Sequence, residues 1–275
     1  MLRLGDRTFD TGSRALVMGI LNRTPDSFYD KGRYWDTDAF FGRAQRLVDE
    51  GADVLDVGGV KAGPGPEVTE AEEMERVVPA IEALRRRFDV PLSVDTWRAS
   101  VARESYRAGA VVGNDISGFA DPDYLPAAAA AGATVVATHV RLGPRIPDPD
   151  PQYDDLVGDV ERFLLERAAQ AGEAGIGPER IVLDAGLDLG KTAAQSLELL
   201  RASARLAAHG YTLLLSASNK TFLGVLFDLE VADRAEATLA AHSVGVSLGC
   251  RILRAHDVRA ARRVADTLAA VLEAV

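Results

Sequence analysis

Acids, amides and bases follow one apolar run after another along this chain. Asn22 follows the run at 15–21, Asp56 falls within 54–57, and Asp95 follows 91–94. Asn114 follows 111–113, His139 closes 134–139, and Asp184 follows 180–183. Ser218 and Lys220 come after 211–215, and Arg254 and His256 after 250–253. Asp95, Asn114, Asp184 and Lys220 are the types that grip a flat heterocycle with an amino-pyrimidinone edge. Carboxylates accept from ring N–H and exocyclic NH2 groups, while an amide and an ammonium answer the ring carbonyl and ring nitrogens. Asn22, Arg254 and His256 suit a phosphate or diphosphate. The guanidinium offers its fork and the imidazole adds a donor. Asn22 brings either a carbonyl oxygen for a bridging Mg²⁺ or an amide donor for phosphate. Thr24, Asp26 and Ser27 add oxygens beside it. Taken singly, such residues are more often turns, caps or satisfied core groups. Asp56 could serve backbone N–H groups, and His139 could be a plain buried histidine. Their recurrence after successive runs is what argues for a site.

The runs are short and rich in Val, Ile and Leu, the pattern of parallel strands buried on both faces. Helical stretches alternate with them. They cover 39–50, 69–88, 97–108, 121–131, 156–174, 193–209, a broken 220–248, and 259–274. Gly51, Gly109 and Gly210 stop three of them, and Thr69 with Glu72 forms a capping box at the start of another. Residues 1–12 read as a hairpin or cap. Eight strand–helix units with no linker predict one domain, 1–275, folded as an α/β (β/α)8 TIM barrel. In that fold all strand ends open on one mouth, so residues far apart in sequence become neighbours. The Gly/Pro-rich stretch 60–66 sits where a lid over the mouth would sit.

Composition narrows the partners. The chain has 275 residues, 47% hydrophobic and 26% charged, with a formal net charge of −10. An acidic chain lacks the basic face that a nucleic acid needs, but a local pocket can still hold a small anion. The lone Cys250 cannot close an internal disulfide, which fits a reducing cytoplasm, and its apolar surroundings predict an inert buried thiol. The polar start is unlike a signal peptide, and no run approaches the length of a membrane span, so no membrane partner is expected.

The motifs resemble those of the dihydropteroate synthase family. They are Asn22 to Phe28, Asp56-Val57-Gly58-Gly59, Ser93 to Thr96, Asn114 to Gly118, Asp184-x-Gly186, Ser218-x-Lys220 and Arg254-x-His256-Asp257-Val258, in family order over nearly the whole chain. The resemblance implies a barrel, commonly a homodimer, that joins 6-hydroxymethyl-7,8-dihydropterin diphosphate to p-aminobenzoate and releases diphosphate. It implies that Asp95, Asn114, Asp184 and Lys220 hold the pterin. It also implies that Asn22 ligates Mg²⁺, with Arg254 and His256 on the diphosphate. Asn22, Asp95, Lys220, Arg254 and His256 would then carry catalysis.

Three loops depart from the family pattern. The lid sequence Ser-Thr-Arg-Pro-Gly is here Lys61-Ala62-Gly63-Pro64-Gly65, so its arginine and threonine are gone and Lys61 is a partial substitute. The stretch after Asp184 carries Asp188 and Leu189 in place of Gly-Phe, and Asn219 replaces an arginine between Ser218 and Lys220. Lys61, Asp188, Ser218 and Asn219 thus mark an altered acceptor end, and Asp188 is expected to set a negative charge against a p-aminobenzoate carboxylate. Three functions stay open. One is a synthase using p-aminobenzoate or a related aromatic amine, and another is a pterin-binding paralogue with weak or no synthase activity. The third is a methyltetrahydrofolate-dependent methyltransferase of similar fold. The retained Asn22, Arg254 and His256 favour a diphosphate ligand over the third.

Overall fold

Period-two alternation sorts each strand's side chains onto two faces. Leu16, Met18, Val54, Val112, Val136, Val182, Leu214 and Ile252 pack together in one cluster. Their neighbours Val17, Leu55, Val57, Val94, Val135, Leu183, Leu215 and Leu253 belong to a larger cluster shared with the helices. The computed structural model describes residues 1–23, 37–63 and 65–273. The polar cluster 24–30, with Thr24, Asp26 and Ser27, therefore lies outside the described residues, as does Pro64.

The strands are β1 (Leu2–Leu4), β2 (Arg7–Phe9), β3 (Leu16–Asn22), β4 (Val54–Gly58), β5 (Leu92–Asp95), β6 (Val112–Asp115), β7 (Thr134–Thr138), β8 (Ile181–Asp184), β9 (Thr212–Leu215) and β10 (Cys250–Ala255). All but the first two form a closed barrel in the order β10-β3-β4-β5-β6-β7-β8-β9, every pair parallel. The (β/α)8 expectation is borne out. Its helices are α1 (Thr37–Asp49), α2 (Glu70–Arg87), α3 (Ala99–Ala108), α4 (Tyr124–Ala131), α5 (Leu156–Glu173), α6 (Ala193–Arg201), α7 (Ser203–Ala207), α8 (Thr221–Phe227), α9 (Ala235–Ser247) and α10 (Val258–Glu273).

The hairpin β1–β2 plugs one end. Leu2 and Leu4 join the inner apolar cluster, the Thr134 hydroxyl donates to the Arg3 carbonyl, and Arg180 Nη2 donates to the Gly5 carbonyl at 2.9 Å. At the other end, on four of the strands, the inner apolar residue is followed two positions later by a charged or amide one. Val54 precedes Asp56, Val112 precedes Asn114, Val182 precedes Asp184, and Ile252 precedes Arg254. Register brings Gly58 opposite Asp95, Asp95 opposite Asn114, and Thr138 opposite Asp184. The polar layer therefore stands on an apolar floor. A one-residue slip of any strand would turn its polar residue away from the mouth.

Two helices start later than their sequence pattern predicts, and Asp121 lies at the start of both. The Asp121 carboxylate accepts from Ala99 N at 2.9 Å and from Asp123 N at 3.0 Å. It caps α3 and delays α4 to Tyr124. The stretch 193–209 is divided at Ala202 into α6 and α7. No helix among the described residues is long and apolar enough to cross a membrane.

Candidate active site

Asp56 is the hub. It is fully buried, and its Oδ2 accepts from Asn114 Nδ2 at 3.1 Å and from Arg254 Nε at 2.7 Å. The same guanidinium donates through Nη2 to Asp95 Oδ2 at 2.7 Å. Arg254 thus links the ends of β4, β5 and β10, and Asn114 ties in β6. Asn22 and Asp95 flank Gly58: a methyl group there would lie 3.3 Å from Asn22 Oδ1 and 3.4 Å from Asp95 Cβ. A side chain there would push the Asn22 amide back by a few tenths of an ångström.

Around this core stand Asp184 and Lys220. Asp184 Oδ1 accepts from Gly186 N at 2.8 Å, and Lys220 Nζ donates to the Leu187 carbonyl at 3.0 Å. On the far side, Ser218 and His256 form a closed pair. Ser218 Oγ accepts from His256 N at 3.1 Å and lies 2.9 Å from His256 Nδ1. The serine oxygen has lone pairs for both contacts; with its own proton placed on Nδ1, the neutral ring would keep Nε2–H as its donor. Arg43 of α1 donates to the His256 carbonyl at 2.6 Å.

Burial on the apolar floor sets the electrostatics. It pushes the Asp95 carboxyl up to about 7, with Asp56, Glu73 and Asp115 adding to the effect and Arg254 opposing it. Burial likewise raises Asp184 and lowers Lys220. For Arg254, burial works against the charge, and the carboxylates of Asp56 and Asp95 more than restore it. Partial burial, helped by Arg254, Arg43 and Lys220, brings His256 down to about 4, so the ring is neutral at pH 7. The mouth thus presents acceptors and donors suited to one edge of a polar heterocycle, beside a guanidinium and a neutral imidazole donor.

A family profile described as pterin binding enzyme matches residues 18–256. The chain belongs to the pterin-binding enzyme family. It is 40% identical over 273 residues to a dihydropteroate synthase of Synechocystis, covering 97% of this chain and 94% of that protein. It is 42% identical over 266 residues to a Mycobacterium leprae protein named inactive dihydropteroate synthase 2, covering 94% of this chain and 91% of that protein. A solved dihydropteroate synthase of Xanthomonas albilineans, in complex with 7,8-dihydropteroate, superposes with a TM-score of 0.88 at 37% identity, covering 100% of this chain and 99% of the other.

Within this pterin-binding enzyme Asn22, Asp95, Asn114, Asp184, Lys220, Arg254 and His256 meet at one mouth, with two changes of detail. Arg254, read as a diphosphate ligand, also binds Asp95 of the heterocycle end and the buried Asp56, so the two ends share one guanidinium. Asp188, expected as a bare anion at the acceptor end, instead turns onto a helix. Its carboxylate accepts from Thr221 N at 2.5 Å and from Phe222 N at 3.1 Å, capping α8. Those N–H groups offset its charge, which corrects the expectation of an unpaired carboxylate.

The remaining loop residues have local reasons. Asn219 has φ of 57°, a left-handed conformation that asparagine tolerates better than most residues. Its N–H donates to Thr238 Oγ1 at 3.1 Å and its carbonyl accepts from Arg234 Nη1 at 3.0 Å. Lys61 is exposed in the lid. A guanidinium from the β7–α5 loop reaches the Gly/Pro-rich stretch. Arg145 donates to the Gly63 carbonyl at 3.3 Å and to the Pro66 carbonyl at 2.7 Å. A cavity of about 290 Å³ lies between these loops, lined by Ala62, Gly63, Ile116, Val140, Ile146, Asp188 and Lys191 among others. Neither Arg145 nor the buried Lys191 stands out in the sequence. Both lie in loops without a repeated pattern, and Arg145 finds its partner 82 positions away.

Proposed function

We propose that this chain joins 6-hydroxymethyl-7,8-dihydropterin diphosphate to p-aminobenzoate or a related aromatic amine, releasing diphosphate. The observation that carries this is the Asp56–Arg254–Asp95 array with Asn114 beside it. Asp95 and Asp184 accept from the pterin N–H and NH2 groups, and Lys220 donates to the ring. Arg254 and the Nε2–H of His256 hold the diphosphate. The amine nitrogen attacks the pterin methylene, the methylene C–O bond breaks toward diphosphate, and the amine gives up a proton. Positive charge growing on the pterin is stabilised by the ionised Asp95, and negative charge on the leaving group by Arg254.

Mg²⁺ fits this site only in company. Among the described residues no group of three or more His, Cys, Asp or Glu side chains can hold a metal ion. Asn22 offers one neutral oxygen, so an ion held there takes most of its shell from ligand phosphates and water. When bound it would neutralise leaving-group charge. Exposed Val225, Phe227 and Val231, on α8 and the turn after it, support a homodimer built on that face, which light scattering would test. The lone, buried Cys250 supports a cytoplasmic protein.

A second reading, a pterin binder with weak or no synthase activity, is favoured by the altered lid and by the inactive name of the Mycobacterium leprae relative. Steady-state condensation separates the two. Turnover of p-aminobenzoate at roughly 1 s⁻¹ or faster supports the synthase. Tight pterin diphosphate binding without turnover of p-aminobenzoate or of neutral anilines supports the binder.

A further inference from the structure

Lys191 is a second buried lysine beside the mouth, and no step above uses it. It is 7% exposed. Its Nζ donates to the Gly186 carbonyl at 2.9 Å, the Leu189 carbonyl at 2.9 Å and the His139 carbonyl at 3.3 Å, and lies 2.9 Å from His139 Nδ1. A buried ammonium is costly unless its protons are all placed. Here three protons meet four acceptors on two loops. Burial brings its pKa down to about 7 and that of His139 down to about 3, so the imidazole is neutral and accepts.

The carbonyls it holds bracket the residues that orient the heterocycle end. Gly186 supplies the N–H on Asp184, and Leu187 supplies the carbonyl that receives Lys220 Nζ. Asp188 then caps α8, whose first residue follows Lys220. This stretch is conformationally demanding: Gly186, Asp188 and Gly190 have φ of 66°, 66° and 63°. The two glycines take this conformation freely but are equally free to leave it, and Asp188 costs free energy there unless its surroundings fix it, so propensity alone does not hold the loop. An apolar side chain at 191 would fill the space but would take the side-chain donor from the Leu189 and His139 carbonyls, leaving Gly186 O only the Leu189 N–H at 3.0 Å.

We propose that Lys191 is a positioning residue for the heterocycle, fixing the β8–α6 loop so that Asp184 and Lys220 face the ligand. This rests on the pterin-binding reading of the mouth. It predicts a selective defect, because Arg254 and Asn22 stand on β10 and β3 and His256 follows β10 against Ser218, none of them bonded to this loop.

The test compares the parent with Lys191→Met, which keeps an unbranched apolar stem of nearly the same length and removes the ammonium. Amide hydrogen exchange should speed up at 185–190 and at 220–222. Calorimetric affinity for 6-hydroxymethylpterin should fall by about tenfold or more, while affinity for inorganic diphosphate with Mg²⁺ stays within about twofold. A general loss of structure would weaken both ligands together. Lys191→Gln, which keeps an amide donor for the carbonyls, should recover part of the pterin affinity, and it carries the same comparison if Lys191→Met does not fold. Unchanged exchange, or equal weakening of both ligands, would overturn the proposal. A parent that binds no pterin overturns the reading of the mouth. In that case exchange alone decides whether Lys191 fixes the loop.

Discussion

Asp95 lies within reach of a second carboxylate, Asp56, and one guanidinium spans them. Its carboxyl is raised by burial from the ordinary 3.8 to about 7. For a raised carboxyl, the stabilising contribution is full below the unfolded value and is lost as pH rises through the folded one. The urea midpoint of Asp95→Asn should therefore gain on that of the parent between pH 5 and pH 8. Pterin binding should show the opposite slope in the parent, strengthening as Asp95 ionises through about pH 7 to accept from the ring. A midpoint difference independent of pH would contradict the raised carboxyl. At this scale the sequence announced which residues matter but not how they pair. Asp95, Asn114, Asp184 and Lys220 stood out because each follows an apolar run. The bonds of Arg254 to Asp56 and Asp95 span 198 and 159 positions, and nothing local encodes them.

Loops and helix ends are where local pattern and structure part. Asp188 reads as a stray charge in the chain, yet in the fold it is the cap of α8, 33 residues on. Asp121 likewise caps α3 from a later loop. Strand ends were legible because burial forces a short apolar run to terminate in polar groups. Caps borrowed from elsewhere leave no such trace. Gly186 shows what the β8–α6 loop demands: its φ is 66°, and a methyl group there would run into the His139 carbonyl oxygen. Gly186→Ala is expected to cost about 2 kcal/mol or more in urea unfolding and to weaken pterin binding, through the displaced N–H on Asp184. Retention of both stability and affinity would show that the loop is not under this constraint.

At the scale of the whole molecule, stability and function sit at opposite ends of the barrel, as the fold generally allows. The hairpin end is apolar and closed by Leu2 and Leu4. Leu4→Ala should cost about 2–5 kcal/mol of stability and leave pterin affinity unchanged at temperatures where the protein is folded. Coupled losses would mean that the plug reaches the site. The alternation of strands and helices made this architecture legible before any contact was known, because eight strand–helix units in one unbroken chain match a closed parallel sheet that buries its short apolar runs on both faces. The central claim, that the polar end is a pterin diphosphate site, is tested most directly by calorimetric titration of 6-hydroxymethyl-7,8-dihydropterin diphosphate, with and without Mg²⁺, into the parent and into Asp184→Ala. The predicted result is saturable binding that Mg²⁺ strengthens and that Asp184→Ala weakens by about 1–3 kcal/mol. No binding to the parent, or equal binding to both proteins, would contradict it.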